Sequence, residues 1–192
     1  MTSAPIEAVV VGASAGALEA LSVLLPALPT DYPLPVLVVV HLPPDKKSVM
    51  AELLQQKCRV GVREAEDKEP IRAGIVYFAP PDYHLLVEPD RRLSLSSEEP
   101  VLYSRPSIDV LFETAADAYG PGLIGVVLTG ANSDGSRGLR AVLSAGGTGL
   151  VQWPDLAYAS AMPQAALDAC PGARVLSLPE IATYLLECVT PV

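Results

Sequence analysis

Short apolar runs rich in β-branched residues alternate along the chain with longer stretches whose apolar side chains recur at helical spacing. That pattern predicts βαβ units feeding a largely parallel sheet. Ala8 to Val11 reads as the first strand, followed by a glycine-containing turn and a helix from about Ala17 to Leu28. Leu18, Leu21, Leu24, Leu25 and Leu28 give that helix one apolar face, and Pro29 and Pro33 end it. Val36 to Val40 is apolar at every position, which predicts a central strand covered on both sides. Pro43 and Pro44 break the chain before a helix of about Lys47 to Gln56. Ile75 to Ala79, His84 to Glu88 and Leu93 to Ser96 read as short strands, and a turn at Pro89-Asp90-Arg91-Arg92 makes the last two an antiparallel hairpin. From Ser107 the parallel pattern resumes. A helix through Ile108, Leu111, Phe112 and Ala115 leads to a strand Leu123 to Leu128, a helix Ser136 to Ala145, a strand Thr148 to Gln152 and a last helix of about Leu178 to Glu187.

With 192 residues, half of them hydrophobic, the chain is long enough for one well-buried core and short for two, so a single domain over residues 1–192 is expected. Cys58, Cys170 and Cys188 are odd in number and form no CxxC pair, which argues against a disulfide framework or a zinc site. A reducing, cytoplasmic setting fits, and residues 1–7 show neither a basic region nor a long apolar one. Every apolar run is interrupted well before the roughly 20 residues that span a bilayer, so no membrane insertion is expected. A net charge of −9 opposes an electrostatic grip on phosphates and makes nucleic acid an improbable partner.

The candidate chemistry lies where strands end. Ser14, in Gly12-Ala13-Ser14-Ala15-Gly16, follows the first strand, His41 follows the second, and Asp134 lies in the loop after Leu123 to Leu128. If the three runs are parallel neighbours, serine, histidine and aspartate face one crevice at the carboxyl edge, the arrangement of a nucleophilic hydrolase. As base, His41 is expected to direct Nε2 at Ser14 and to have its other nitrogen held by a carboxylate. Each residue also has a purely structural role open to it. Ser14 and Asp134 suit helix caps, and a strand-end histidine can simply bond a carbonyl. His84, the second of only two histidines, opens the hairpin and is expected at the rim, structural or facing a substrate. A dinucleotide site is disfavoured because Ser14 occupies the second glycine position of G-x-G-x-x-G, and a Walker A lysine is missing.

Val9-Val10-Val11-Gly12-Ala13-Ser14 with Gly16, Val38-Val39-Val40-His41-Leu42-Pro43-Pro44, Arg105-Pro106-Ser107-Ile108-Asp109-Val110-Leu111-Phe112, Val127-Leu128-Thr129-Gly130 with Asp134-Gly135, and Ala161-Met162-Pro163 with Ala165-Ala166 stand in this order along the chain. In that series the sequence resembles the chemotaxis receptor methylesterases over nearly its whole length. The resemblance implies a doubly wound, mostly parallel sheet with an antiparallel hairpin, Ser14 as nucleophile, His41 as base and Asp134 as its orienting carboxylate. It also implies hydrolysis of γ-glutamyl methyl esters on the cytoplasmic helices of methylated chemoreceptors, and deamidation of glutamines, within phosphorelay signalling. No cofactor or metal is called for. Ala15 and the loop at Ala131 are the expected oxyanion donors, with Trp153 and Met162 near the substrate.

The loops depart from the family pattern. Thr-Gly-Gly after the serine is replaced by Ala15-Gly16-Ala17, Gly-Met-Gly-x-Asp-Gly by Gly130-Ala131-Asn132-Ser133-Asp134-Gly135, Gln-Asp-Glu by Gln152-Trp153-Pro154, and Gly-Met-Pro by Ala161-Met162-Pro163. Trp153 is placed either at the crevice or against a neighbouring helix. The family's usual N-terminal receiver domain has no counterpart ahead of the first strand. Control is therefore expected from a separate regulatory protein, from a further part of a longer chain, or not at all. The altered loops also admit a non-catalytic or substrate-diverged interaction module of a signalling complex.

Overall fold

A computed structural model describes residues 4–42 and 49–189. Pro43, Pro44 and the expected helix start at Lys47 lie outside the described residues. The strands are, in chain order, β1 (Ala8–Ala13), β2 (Val36–Val40), β3 (Gly61–Glu64), β4 (Ile75–Phe78), β5 (His84–Val87), β6 (Leu93–Ser96), β7 (Leu123–Val127), β8 (Thr148–Gln152) and β9 (Arg174–Leu176). The helices are α1 (Ala17–Leu24), α2 (Met50–Gln55), α3 (Ile108–Tyr119), α4 (Ser136–Ser144), α5 (Ala161–Ala169) and α6 (Leu178–Glu187).

Seven strands form one parallel sheet in the order β3-β4-β2-β1-β7-β8-β9, while β5 and β6 pair antiparallel as the expected hairpin. Alternate residues of β1 enter opposite layers. Val9 and Val11 join Leu21, Leu24, Leu54 and Leu185, whereas Ala8 and Val10 join Leu85, Phe112, Leu139 and Val142. Helices α1, α2 and α6 thus supply one layer, and α3, α4, α5 and the hairpin the other. Burial on both faces explains why the central strands read as unbroken apolar runs. The expected α/β, doubly wound architecture is what forms. Its chain leaves β1 towards β2 on one side and later returns as β7 on the other, so β1 lies at the switch point where α/β sheets open a crevice.

Three elements escape the periodicity. Edge strand β3 buries little besides Val62, and β9 has only three residues, two of them exposed. Half-solvated edges carry no long apolar run to recognise. Helix α5 holds Pro163 in its first turn, where the missing N–H breaks no helical bond. The last helix starts where expected because Ser177 and Glu180 form a capping box.

Helix α3 crosses β1 at very short range through Ile108. A methyl group on Gly12 would overlap Ile108 Cγ2 and lie 2.9 Å from its Cδ1. Gly12→Ala is therefore expected to destabilise the fold by about 1–3 kcal/mol through overpacking. In urea unfolding, Gly12→Ala combined with Ile108→Ala, which removes all three clashing atoms, should cost less than the sum of the two single substitutions. Additive effects of the two substitutions would show that the sites do not touch.

Candidate active site

Strands β2, β1 and β7 are immediate neighbours, so the segments that follow them meet at one edge of the sheet. His41 N–H donates to Ala13 O (3.2 Å), and Ser14 N–H donates to Thr129 O (2.9 Å). These bonds extend the ladder one residue past the strands and bring Ser14, His41 and the 129–135 loop together. The helix-cap role open to Ser14 is not taken. Helix α1 has no side-chain cap, and Ala17 N–H bonds the Ser14 carbonyl instead.

Asp134 is fully buried and accepts four hydrogen bonds. Oδ1 takes Ser107 Oγ–H (3.0 Å) and Asp109 N–H (2.9 Å), and Oδ2 takes Ile108 N–H (2.7 Å) and His41 Nε2–H (2.7 Å). Burial pushes this carboxyl up. The His41 bond and the Asp109 and Ile108 amides outweigh that and hold it below the ordinary carboxylate value. An acceptor-only carboxylate requires the proton on Nε2. The expectation that Nε2 faces Ser14 is thereby corrected: Nε2 is committed to Asp134, and Nδ1 is the nitrogen left for chemistry. Asn132 Nδ2 lies 3.4 Å from Nδ1.

The cap role open to Asp134 is taken up, but on the other helix. Its carboxylate caps α3, while Asp109 in the first turn of α3 accepts Gly135 N–H (2.9 Å) and Gly138 N–H (2.7 Å) and so caps α4. Each helix start is held by an aspartate from the other, and both carboxylates sit where the helix dipoles favour negative charge. Asp109 is raised to about 6, chiefly by burial, with the Asp134 charge adding to it and the Gly138 amide opposing it. His84 is not at the rim. Buried at 2% exposure, it accepts Ser107 N–H at Nδ1 (3.1 Å) and directs Nε2 at Glu99 O (3.0 Å), which makes it a neutral strut under Ser107.

An open cleft of about 520 Å³ is lined by Ser14, Ala15, Leu18, His41, Met50 and Tyr158. Among the described residues, the Ser14 hydroxyl and the Ala15, Gly16 and Ala131 amides have no hydrogen-bond partner. Ala15 borders the cleft, and Ala131 is exposed on the loop beside His41. Two expected substrate contacts are elsewhere. Met162 is fully buried, packs beneath Gly130 and donates its N–H to Gly130 O (2.9 Å), so it supports the loop from behind. Trp153 lines a separate depression with Gln164, Leu167 and Val175, against helix α5. Tyr158 takes the wall position instead, packed on Gly16.

Several residues that build the site have no assigned role in the sequence reading. Ser107 and Asp109 were visible as a Ser-x-Asp at a helix start, a capping signal whose partner cannot be known from one strand of text. Thr129 and Gln152 are buried polar residues at strand ends. Gln152 Oε1 accepts Thr129 N–H (2.9 Å), and Thr129 Oγ1–H donates to Ala15 O (2.8 Å), fixing the serine loop. Asn132 gave no signal beyond its departure from the usual glycine.

Comparison with known proteins places this geometry. The sequence model of the CheB methylesterase family matches residues 9–185. A putative protein-glutamate methylesterase/protein-glutamine glutaminase of Leptospira interrogans is 47% identical over 181 residues, covering 94% of this chain and 94% of that protein. A protein-glutamate methylesterase/protein-glutamine glutaminase of Desulfitobacterium hafniense is 37% identical over 190 residues, which are 96% of this chain but 48% of that protein, so the chain spans about half its length. The crystal structure of the Thermotoga maritima CheB methylesterase catalytic domain superposes with a TM-score of 0.90 at 31% identity, covering 96% of this chain and 99% of that one.

The two aspartates pull the pH dependence of stability in opposite directions. Asp134, held low, contributes stability that is present above its unfolded pKa and lost as pH falls through the folded value. Asp109, raised to about 6, favours the fold below the ordinary carboxylate value, and that contribution is lost as pH rises through about 6. The unfolding free energy of the wild type relative to Asp109→Asn should therefore decrease between about pH 4 and about pH 7. Denaturant titrations at a series of pH values measure it, and a rising difference would contradict the assignment.

Proposed function

The chain belongs to the CheB methylesterase family, and from that premise we propose that it is a serine protein-glutamate methylesterase acting in chemotaxis. The observation that carries the reading is the Asp134–His41 pair, whose Nδ1 is left at the same sheet edge as Ser14. The whole chain serves as one catalytic domain. Its substrates are glutamyl methyl esters on the cytoplasmic helices of methylated chemoreceptors, and it acts in the cytoplasm within phosphorelay signalling. The relatives named as protein-glutamine glutaminases support glutamine side chains as a second substrate.

In this mechanism Ser14 Oγ attacks the ester carbonyl carbon while His41 Nδ1 accepts its proton. Asp134, ionised and buried, holds the imidazole and stabilises the imidazolium that forms. The carbonyl oxygen becomes an oxyanion, and the unpartnered Ala15 and Ala131 amides are the donors placed to receive it. Collapse breaks the carbon–methoxy bond, His41 Nδ1–H protonates the departing oxygen, and methanol leaves. Water, deprotonated by Nδ1, then attacks the acyl-serine and releases the glutamate carboxylate and free Ser14. With a glutamine substrate, ammonia leaves by the same route. The open cleft suits a side chain offered from a helix surface, with Leu18 and Tyr158 as apolar walls.

Purified protein with methyl-labelled receptor should release methanol, and Ser14→Ala should abolish release while leaving the fold intact, because Ser14 is only half-buried. Asp134→Asn should lower kcat by about 10³–10⁴-fold. A fluorophosphonate probe should modify Ser14. Full activity in Ser14→Ala, or no modification of wild type, would favour a non-catalytic interaction module.

A further inference from the structure

We propose that Asn132 is a positioning residue that latches the general base, competing with Ser14 for the single free lone pair of His41. Two hydrogen bonds orient Asn132, and a third orients the imidazole it meets. Asp134 N–H donates to Asn132 Oδ1 (3.1 Å), so the side-chain oxygen is turned towards its own loop and Nδ2 must face outward. Nδ2 then lies 3.4 Å from His41 Nδ1. The other imidazole nitrogen donates its proton to Asp134 Oδ2 at 2.7 Å, and because the Asn132 amide nitrogen is only a donor, the contact it makes requires Nδ1 to be unprotonated and to accept.

A neutral imidazole nitrogen has one in-plane lone pair. It takes the Asn132 amide hydrogen or the Ser14 hydroxyl hydrogen, not both in good geometry. The hydrogen-bonding pattern agrees, since among the described residues the Ser14 hydroxyl has no partner although it shares the cleft with His41. The Asn132 contact is long and its donor uncharged, so a serine approaching Nδ1 at ordinary hydrogen-bond distance can displace it. The latch holds the imidazole oriented while no serine proton is being transferred, and it lowers the fraction of time in which Ser14 is activated. A glycine or alanine at this position has no atom with which to do so.

This inference rests on Ser14 and His41 acting as nucleophile and base, and its test separates the two. In the probe reaction Ser14 Oγ bonds to phosphorus, fluoride leaves, and the serine proton passes to His41 Nδ1. Asn132→Ser keeps an oxygen for the Asp134 amide but cannot reach His41, whereas Asn132→Ala removes both functions. Both variants should be modified by the fluorophosphonate about two- to tenfold faster than wild type, the range expected for loss of one competing neutral hydrogen bond. In ¹⁵N-histidine-labelled protein, the Nδ1 resonance of His41 should move towards that of an unbonded nitrogen in both variants, while His84 stays in place. Slower modification of Asn132→Ala with restoration by Asn132→Ser would overturn the latch in favour of a purely structural turn. An unmoved Nδ1 resonance would also overturn it. Absence of modification in every form, with the Nδ1 resonance shifted as expected, would refute Ser14 as nucleophile and leave the Asn132 contact standing.

Discussion

The structure at the sheet edge depends on the burial of one carboxylate. An ionised group with no access to water is strongly unfavourable unless its oxygens are saturated by donors. Asp134 meets this with one imidazole, one hydroxyl and two backbone amides. Two of those donors are the orphan amides at the start of α3, which would themselves be unsatisfied without it. The His41 interaction is thus one arm of a cap that the fold requires anyway. Orientation of the base and anchoring of the helix are the same set of bonds.

That coupling extends through Asp109. Because each of the two aspartates caps the other's helix, α3 and α4 must approach with their N-termini side by side, and small residues make room for it. Gly138 lies where a side chain would strike Phe112 Cβ at 2.6 Å, and Gly12 admits Ile108 against β1. Two carboxylates brought so near cannot both be comfortable as anions. The donors fall mainly to Asp134, and Asp109 carries the raised value. Below, His84 bridges Glu99 and Ser107, so the loop leading into α3 is tied to the hairpin as well.

Within the loops that depart from the family pattern, the residues fall into two groups. Met162 and Gln152, which match the pattern, keep structural roles beneath the loops, where packing and a single amide bond define what fits. Asn132, which departs from it, faces the base and alters what surrounds the reacting groups. Trp153, for all its size, turns away to α5. Substitution in a family motif therefore does not by itself mark a change in the site.

Much of the fold was written in periodicity. Central strands and amphipathic helices declare themselves because burial on one or two faces imposes an apolar pattern, and Val36–Val40 and Leu178–Glu187 form over the residues expected. Edge strands β3 and β9 impose no such pattern and were silent. Ser14, His41 and Asp134 were each legible as polar residues following apolar runs. What the text of the chain left undetermined was which imidazole nitrogen faces which partner, which helix an aspartate caps, and which loop residues reach the cleft. Those choices rest on strand order and on angles between elements far apart in sequence, where a bond forms only after β2, β1 and β7 have become neighbours. Local preference names the candidates, and only the assembled sheet edge selects among them.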